Sequence, residues 1–164
     1  VLRIHYLKTA KYSVEGPLCV GAILKGTTPS VLDSLSRYAI PVGIAFQIHD
    51  DILGIFGTEE QLGKSIASDT KEGKQTLLTV KAFENASPSQ KERLEYFIGN
   101  PDITKAELEE VKSIIEETGA LEYSRMKEIS LSEEGKKALL DTPIREDIKE
   151  ILLGTADMLI EREY

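Results

Sequence analysis

The chain has 164 residues, 41% hydrophobic and 29% charged, with 28 acidic against 20 basic side chains. That length and apolar share suit a single domain over residues 1–164 with a real core, and they argue against disorder as the main state. A net charge of −8 argues against wrapping a nucleic-acid backbone, and no apolar run approaches the roughly 18 residues of a membrane span. Cys19 stands alone, so no internal disulfide can form and a reducing cytoplasm is the expected compartment. Val1 is not an initiator and the first residues read as the middle of a helix, so further sequence is expected upstream.

Leu7, Ala10, Val14 and Leu18 recur at three- and four-residue spacing and predict a helix over residues 1–25, kinked at Gly16-Pro17 and ended by Gly26 and Pro29. A second helix is predicted from Ser30 to Gly57, with Ile44, Ile48, Ile52 and Ile55/Phe56 on its core stripe and a bend at Pro41-Val42-Gly43. Residues 57–75 hold three glycines, Gly57, Gly63 and Gly73, with mixed charge and no lasting period, which reads as a long functional loop. Shorter helices follow over residues 76–85, from Ser87-Pro88, and from the capping-box pattern Thr104–Glu107. Gly119 separates that last one from a helix over residues 120–140. Thr142-Pro143 is expected to open the final helix, with Ile148, Ile151, Leu152, Ala156, Leu159 and Ile160 on one stripe. Nothing alternates with period two, so the class is all-α.

The chemistry concentrates in Phe46-Gln47-Ile48-His49-Asp50-Asp51-Ile52-Leu53-Gly54. On a helix Gln47 lies three and four residues before Asp50 and Asp51, so the three share a polar face. Two adjacent carboxylates in an apolar helix either face water or bind a hard cation, with Mg²⁺ held by carboxylates and phosphate oxygens. The glycine-rich segment that follows places Lys64, Asp69 and Lys74 at intervals of five. It lacks the first glycine of a P-loop and follows no strand, but it can bring lysines over a metal-bound phosphate. Lys8-Thr9 on the first helix adds a point charge and a hydroxyl suited to diphosphate oxygens. His5 and His49 have no histidine or cysteine partner at ligand spacing, and Cys19, Tyr12 and Tyr38 read as packing residues.

These pieces, in this order, resemble the trans-polyprenyl diphosphate synthases, the family of farnesyl and geranylgeranyl diphosphate synthases. Phe46 to Asp51 matches the family pattern F-Q-x-x-D-D-x-x-D, with Gly54 in place of its last aspartate. Gly63, Lys64, Ser68, Asp69, Gly73 and Lys74 match G-K-x-x-G-S-D-x-x-x-G-K, with Ala67 where glycine is usual, and Lys8-Thr9 matches the upstream Lys-Thr. Lys8-Thr9-Ala10-Lys11-Tyr12 followed by Glu15-Gly16-Pro17 resembles the archaeal short-chain branch in particular. The likeness is strong over residues 1–80 and implies the C-terminal half of the isoprenoid synthase fold. The family's first aspartate-rich motif and its isopentenyl-diphosphate-binding residues belong to an N-terminal half that this sequence lacks.

The resemblance implies condensation of an allylic diphosphate with isopentenyl diphosphate. In it Asp50 and Asp51 hold Mg²⁺, Asp69 is a further outer-shell metal residue, and Lys8, Lys64 and Lys74 neutralise the leaving diphosphate. Thr9 and Gln47 orient that diphosphate or its cation, with the face of Phe46 near the positive charge. The competing expectation is a non-catalytic helical subunit or fragment, inactive without the N-terminal half. A terpene cyclase on the same fold is disfavoured by the lysine-bearing loop. Apolar helix faces are expected to be covered by the missing half or by a second copy in a homodimer.

Overall fold

The computed structural model describes residues 1–57, 68–140 and 142–160, and all regular structure among them is helical, as the periodicity predicts. Helix α1 (Leu2–Ile4) runs into a π-helical stretch, His5–Glu15, and then α2 (Gly16–Leu24). The change of register falls at Gly16-Pro17, where the Gly16 N–H reaches back to the Lys11 carbonyl and Pro17 has no N–H to offer. The buried residues of the π stretch are His5, Thr9, Ala10 and Glu15, a spacing set by its wider turn. Leu7, expected in the buried stripe, is consequently 53% exposed, and Tyr12, expected to pack, is exposed as well.

Helix α3 (Pro29–Phe56) is continuous through Pro41. Ile48, Ile52 and Ile55 are buried along it as expected, while Ile44 and Phe56 are half-buried. A Cβ on Gly43 would come within 2.6 Å of the Ala10 Cα, so only glycine lets the π stretch lie directly against α3. The chain then forms a single turn, α4 (Ser68–Lys71), followed by α5 (Leu77–Asn85), α6 (Pro88–Phe97), α7 (Lys105–Glu117), α8 (Ala120–Leu140) and α9 (Glu146–Ile160). Thr76, Ser87 and Thr104 each close a capping box at the start of α5, α6 and α7. The last helix starts later than expected. Thr142 donates its hydroxyl to the Leu139 carbonyl and so closes α8, and α9 opens at Glu146-Asp147, whose charges suit a helix N-terminus. Ile151, placed on the α9 stripe from sequence, is 63% exposed, and Leu152 and Ala156 are the apolar residues the helix buries, with Lys149 beside them.

The described residues group into two compact units. One spans Asp50–Met126 and the other contains Leu2–His49 with the chain from Lys127 onward. In the first, α7 packs on α5 and α6, burying Leu78, Leu94, Phe97, Val111 and Ile115. In the second, Leu35, Tyr38, Ala39 and Val42 of α3 meet Leu139, Leu152 and Ala156. By length and composition α3 is apolar enough to cross a membrane, but 56% of its most apolar window is buried inside the protein, the pattern of a core helix.

Candidate active site

The α3 helix carries the candidate residues Gln47, Asp50 and Asp51 within little more than one turn. In the unit containing Leu2–His49, Thr9 of the π stretch donates its hydroxyl to Gln47 Oε1 at 2.5 Å, joining two residues that the sequence placed 38 positions apart. Lys8, the neighbour of Thr9, is exposed. Two positions after Gln47, His49 Nδ1 lies 2.8 Å from Glu128 Oε1 of α8, and its Nε2 is buried with no hydrogen-bond partner among the described residues. Sequence reasoning missed Glu128, because nothing local marks a partner 79 positions away.

In the unit spanning Asp50–Met126, the two adjacent aspartates of α3 part company. Asp50 is half-buried, whereas Asp51 is only 1% exposed. A buried carboxylate is tolerated when a cation reaches it, and here Lys74 does. Its Nζ lies 2.9 Å from Asp51 Oδ1 and 2.9 Å from Asp69 Oδ2. Burial alone would lower the Lys74 pKa, but the hydrogen bonds and charges of Asp69 and Asp51 outweigh it and push the ammonium well above its ordinary value.

The backbone around this lysine is fixed locally. The Lys74 N–H donates to the Asp69 carbonyl at 3.0 Å, and the Lys74 carbonyl accepts from the Thr76 N–H at 3.1 Å. Gly73 supports the turn at φ +66°, and a Cβ there would come within 3.3 Å of the Gly99 Cα. The Gly99 N–H in turn donates to the Thr70 carbonyl at 2.8 Å, tying the α4 turn to the end of α6. Gly54 has a specific consequence. A Cβ at this position would stand 2.8 Å from Asp69 Oδ2, so the absent side chain is what lets the Asp69 carboxylate approach α3. The departure from aspartate at 54 therefore removes one carboxylate from the helix and admits another from the following segment.

Of the predicted site residues, the structure thus joins Thr9 to Gln47, and Asp51 to Lys74 and Asp69. Lys64, together with Gly63 and Ala67, lies outside the described residues. The donor set fits a hard divalent cation, since two buried carboxylates converge on one positive charge. Among the described residues no group of three His, Cys, Asp or Glu side chains gathers, so the remaining ligands would be phosphate oxygens and water, which is the habit of Mg²⁺.

Residues 1–117 match the family model for polyprenyl synthetases. The chain is 37% identical, over 99% of its length, to a short chain isoprenyl diphosphate synthase of Methanothermobacter thermautotrophicus. It is 39% identical, over 88% of its length, to a geranylgeranyl diphosphate synthase of Methanosarcina mazei. The alignments cover 49% and 43% of those relatives, so the chain spans about half the length of each. Among solved structures, geranylgeranyl pyrophosphate synthase from Corynebacterium glutamicum, complexed with isoprenyl diphosphate and magnesium, superposes with a TM-score of 0.95 at 32% identity, over 99% of this chain and 46% of that one. The chain belongs to the polyprenyl synthetase family, and its all-α fold is that of these synthases.

Proposed function

We propose that the chain is part, as one all-α domain, of an Mg²⁺-dependent prenyltransferase. The reaction joins an allylic diphosphate to isopentenyl diphosphate and releases a longer trans-polyprenyl diphosphate, farnesyl or geranylgeranyl, with inorganic pyrophosphate and a proton. The observation that carries this reading is the convergence of Asp51 and Asp69 on the Lys74 ammonium at 2.9 Å each. The difficult step is breaking the allylic C–O bond, which leaves positive charge on carbon and added negative charge on the departing diphosphate. Bound Mg²⁺ supplies charge that stabilises this leaving group. Asp50 and Asp51 would hold it, with Asp69 in support, and Lys8, Lys64 and Lys74 would donate hydrogen bonds to the diphosphate oxygens. Each unit-charge contact at about 4 Å contributes on the order of 4 kcal/mol at an effective dielectric of 20, so a few that strengthen as charge develops lower the barrier substantially. Thr9 and Gln47, fixed by their mutual hydrogen bond, orient the diphosphate or face the cation. The departing diphosphate takes the proton. A cytoplasmic location fits the lone Cys19.

A second reading, a non-catalytic helical piece that needs its complement, is favoured by the half-length match to relatives. One assay separates the two. Incorporation of labelled isopentenyl diphosphate is measured for the purified chain alone, then after mixing with the N-terminal half of the Methanothermobacter relative. Product from the mixture and none from the chain alone makes this polypeptide the metal-binding half of a synthase and supports covering of its apolar faces by that half. Product from the chain alone supports a self-sufficient homodimer. No product from either, with both polypeptides folded, removes the enzymatic reading.

A further inference from the structure

The Asp51–Lys74–Asp69 clasp poses a question of occupancy. The Lys74 ammonium sits where the two carboxylates converge, 2.9 Å from an oxygen of each. Mg²⁺ drawing on those oxygens needs them about 2.1 Å away, and a divalent ion beside an ammonium is repelled. The two cations exclude one another. The Lys74 backbone is held at both ends, by its N–H on Asp69 and its carbonyl under Thr76, so what can move is the flexible four-carbon stem. The bare Gly54 leaves the Asp69 carboxylate room beside α3, where a Cβ would stand 2.8 Å from its Oδ2.

We propose that Lys74 is the resident cation of the Asp51–Asp69 pair and is exchanged for metal when a diphosphate arrives to receive the displaced ammonium. The inference rests on the metal- and diphosphate-binding reading above. A free Mg²⁺ ion must evict the ammonium from two charge-assisted hydrogen bonds into water. A metal–diphosphate complex brings ligands for the metal and acceptors for the three donors of the lysine together. Metal and diphosphate therefore bind with positive coupling, and part of that coupling passes through the Lys74 side chain. By linkage it is the same whichever ligand is added first.

The test is calorimetric titration of Mg²⁺ into the purified chain and into Lys74→Met, each with and without inorganic pyrophosphate. Without pyrophosphate, Lys74→Met is expected to bind Mg²⁺ about tenfold more tightly than the parent, because the competing charged hydrogen bonds are gone. With pyrophosphate, its gain in Mg²⁺ affinity is expected to be about tenfold smaller than the parent's. Mg²⁺ affinity without pyrophosphate that is unchanged or weaker in Lys74→Met overturns the exchange. Absence of Mg²⁺ binding in both proteins, even with pyrophosphate, removes the metal-site reading itself and the exchange with it. A measurement on the unsubstituted chain does not depend on how the variant folds: the ¹⁵N resonance of the Lys74 ammonium, assigned against Lys74→Arg. It is expected to move when Mg²⁺ and pyrophosphate are both present and to gain coupling to phosphorus. If it stays in place while calorimetry reports a saturated metal site, Lys74 is not the cation that leaves.

Discussion

Two stretches of one helix solve the problem of polar groups in an apolar setting in opposite ways. Up to His49, α3 satisfies its polar neighbours one by one: Thr9 with Gln47, and the Tyr38 hydroxyl with the Leu152 carbonyl at 2.6 Å. The Tyr38 phenol is accordingly a core group, its pKa pushed by burial to about 12. Close approach at Gly43 and Gly135 completes that packing. From Asp50 onward the helix instead buries a full charge, Asp51, and closes it with a lysine that a second carboxylate shares. Paired neutral groups stabilise modestly and have little reason to change partners. A buried ion cluster is weak as a source of stability and strong as a place to exchange charge. The difference separates a stretch built on fixed polar pairs from one built on a shared ion cluster.

Substitution at Asp51 is the largest expected break in that contrast. Asp51→Ala removes the buried carboxylate and leaves Lys74 with one partner. Mg²⁺-dependent binding of inorganic pyrophosphate, followed by calorimetry, is expected to weaken about a hundredfold, the scale of removing one preorganised electrostatic contact. Binding within twofold of the parent would move the site away from this cluster.

The packed stretch is expected to respond in stability and not in binding. A Cβ on Gly135 would meet Val42 Cγ2 at 2.6 Å and the Tyr38 carbonyl oxygen at 2.8 Å. A backbone oxygen in the middle of α3 cannot step aside as a side-chain tip can. Gly135→Ala gains about 1 kcal/mol of helix propensity and loses more to overpacking, for a net destabilisation of ~1–2 kcal/mol. Thermal unfolding is expected to show a lowered midpoint while pyrophosphate affinity below the transition stays near that of the parent. A raised midpoint would mean that α3 and α8 are further apart than the structure places them.

Much of this contrast is legible in the sequence, and the rest is hidden for definite reasons. Helix limits at Ser87-Pro88, Thr104–Glu107 and Gly119 can be read because caps and stops act within a turn of themselves. The residues that converge on the candidate site, Asp51, Asp69 and Lys74, are legible through their order and spacing on a resemblance. The π stretch is not, because Leu7, Ala10, Val14 and Leu18 satisfy an α-helical period and only packing against Gly43 shows which residues turn inward. The start of α9 is misread because Thr142-Pro143 has the chemistry of a helix start, while its hydroxyl is spent on the end of α8. Gly54 reads as a carboxylate lost. Only the 2.8 Å approach of Asp69 reveals that it is also space gained.

The smallest expected effect probes a charged pair that sits among the polar pairs of the first stretch. Glu15 of the π stretch is buried, with Lys11 Nζ at 2.5 Å and the Ser36 hydroxyl donating to its other oxygen. Burial by itself raises its pKa, but those two hydrogen bonds and the lysine charge prevail and hold it below the ordinary 4.5. A carboxyl whose folded pKa is depressed contributes stability that is complete above the unfolded value and is lost as pH falls through the folded one. The difference in melting temperature between the parent and Glu15→Gln is therefore expected to be full above pH 4.5 and to shrink as the pH is lowered beneath it. Because Lys11 is largely solvated, the contribution at neutral pH is small, and added salt reduces it further. A difference that persists undiminished well below pH 4 would mean that Glu15 acts through its shape and not its charge.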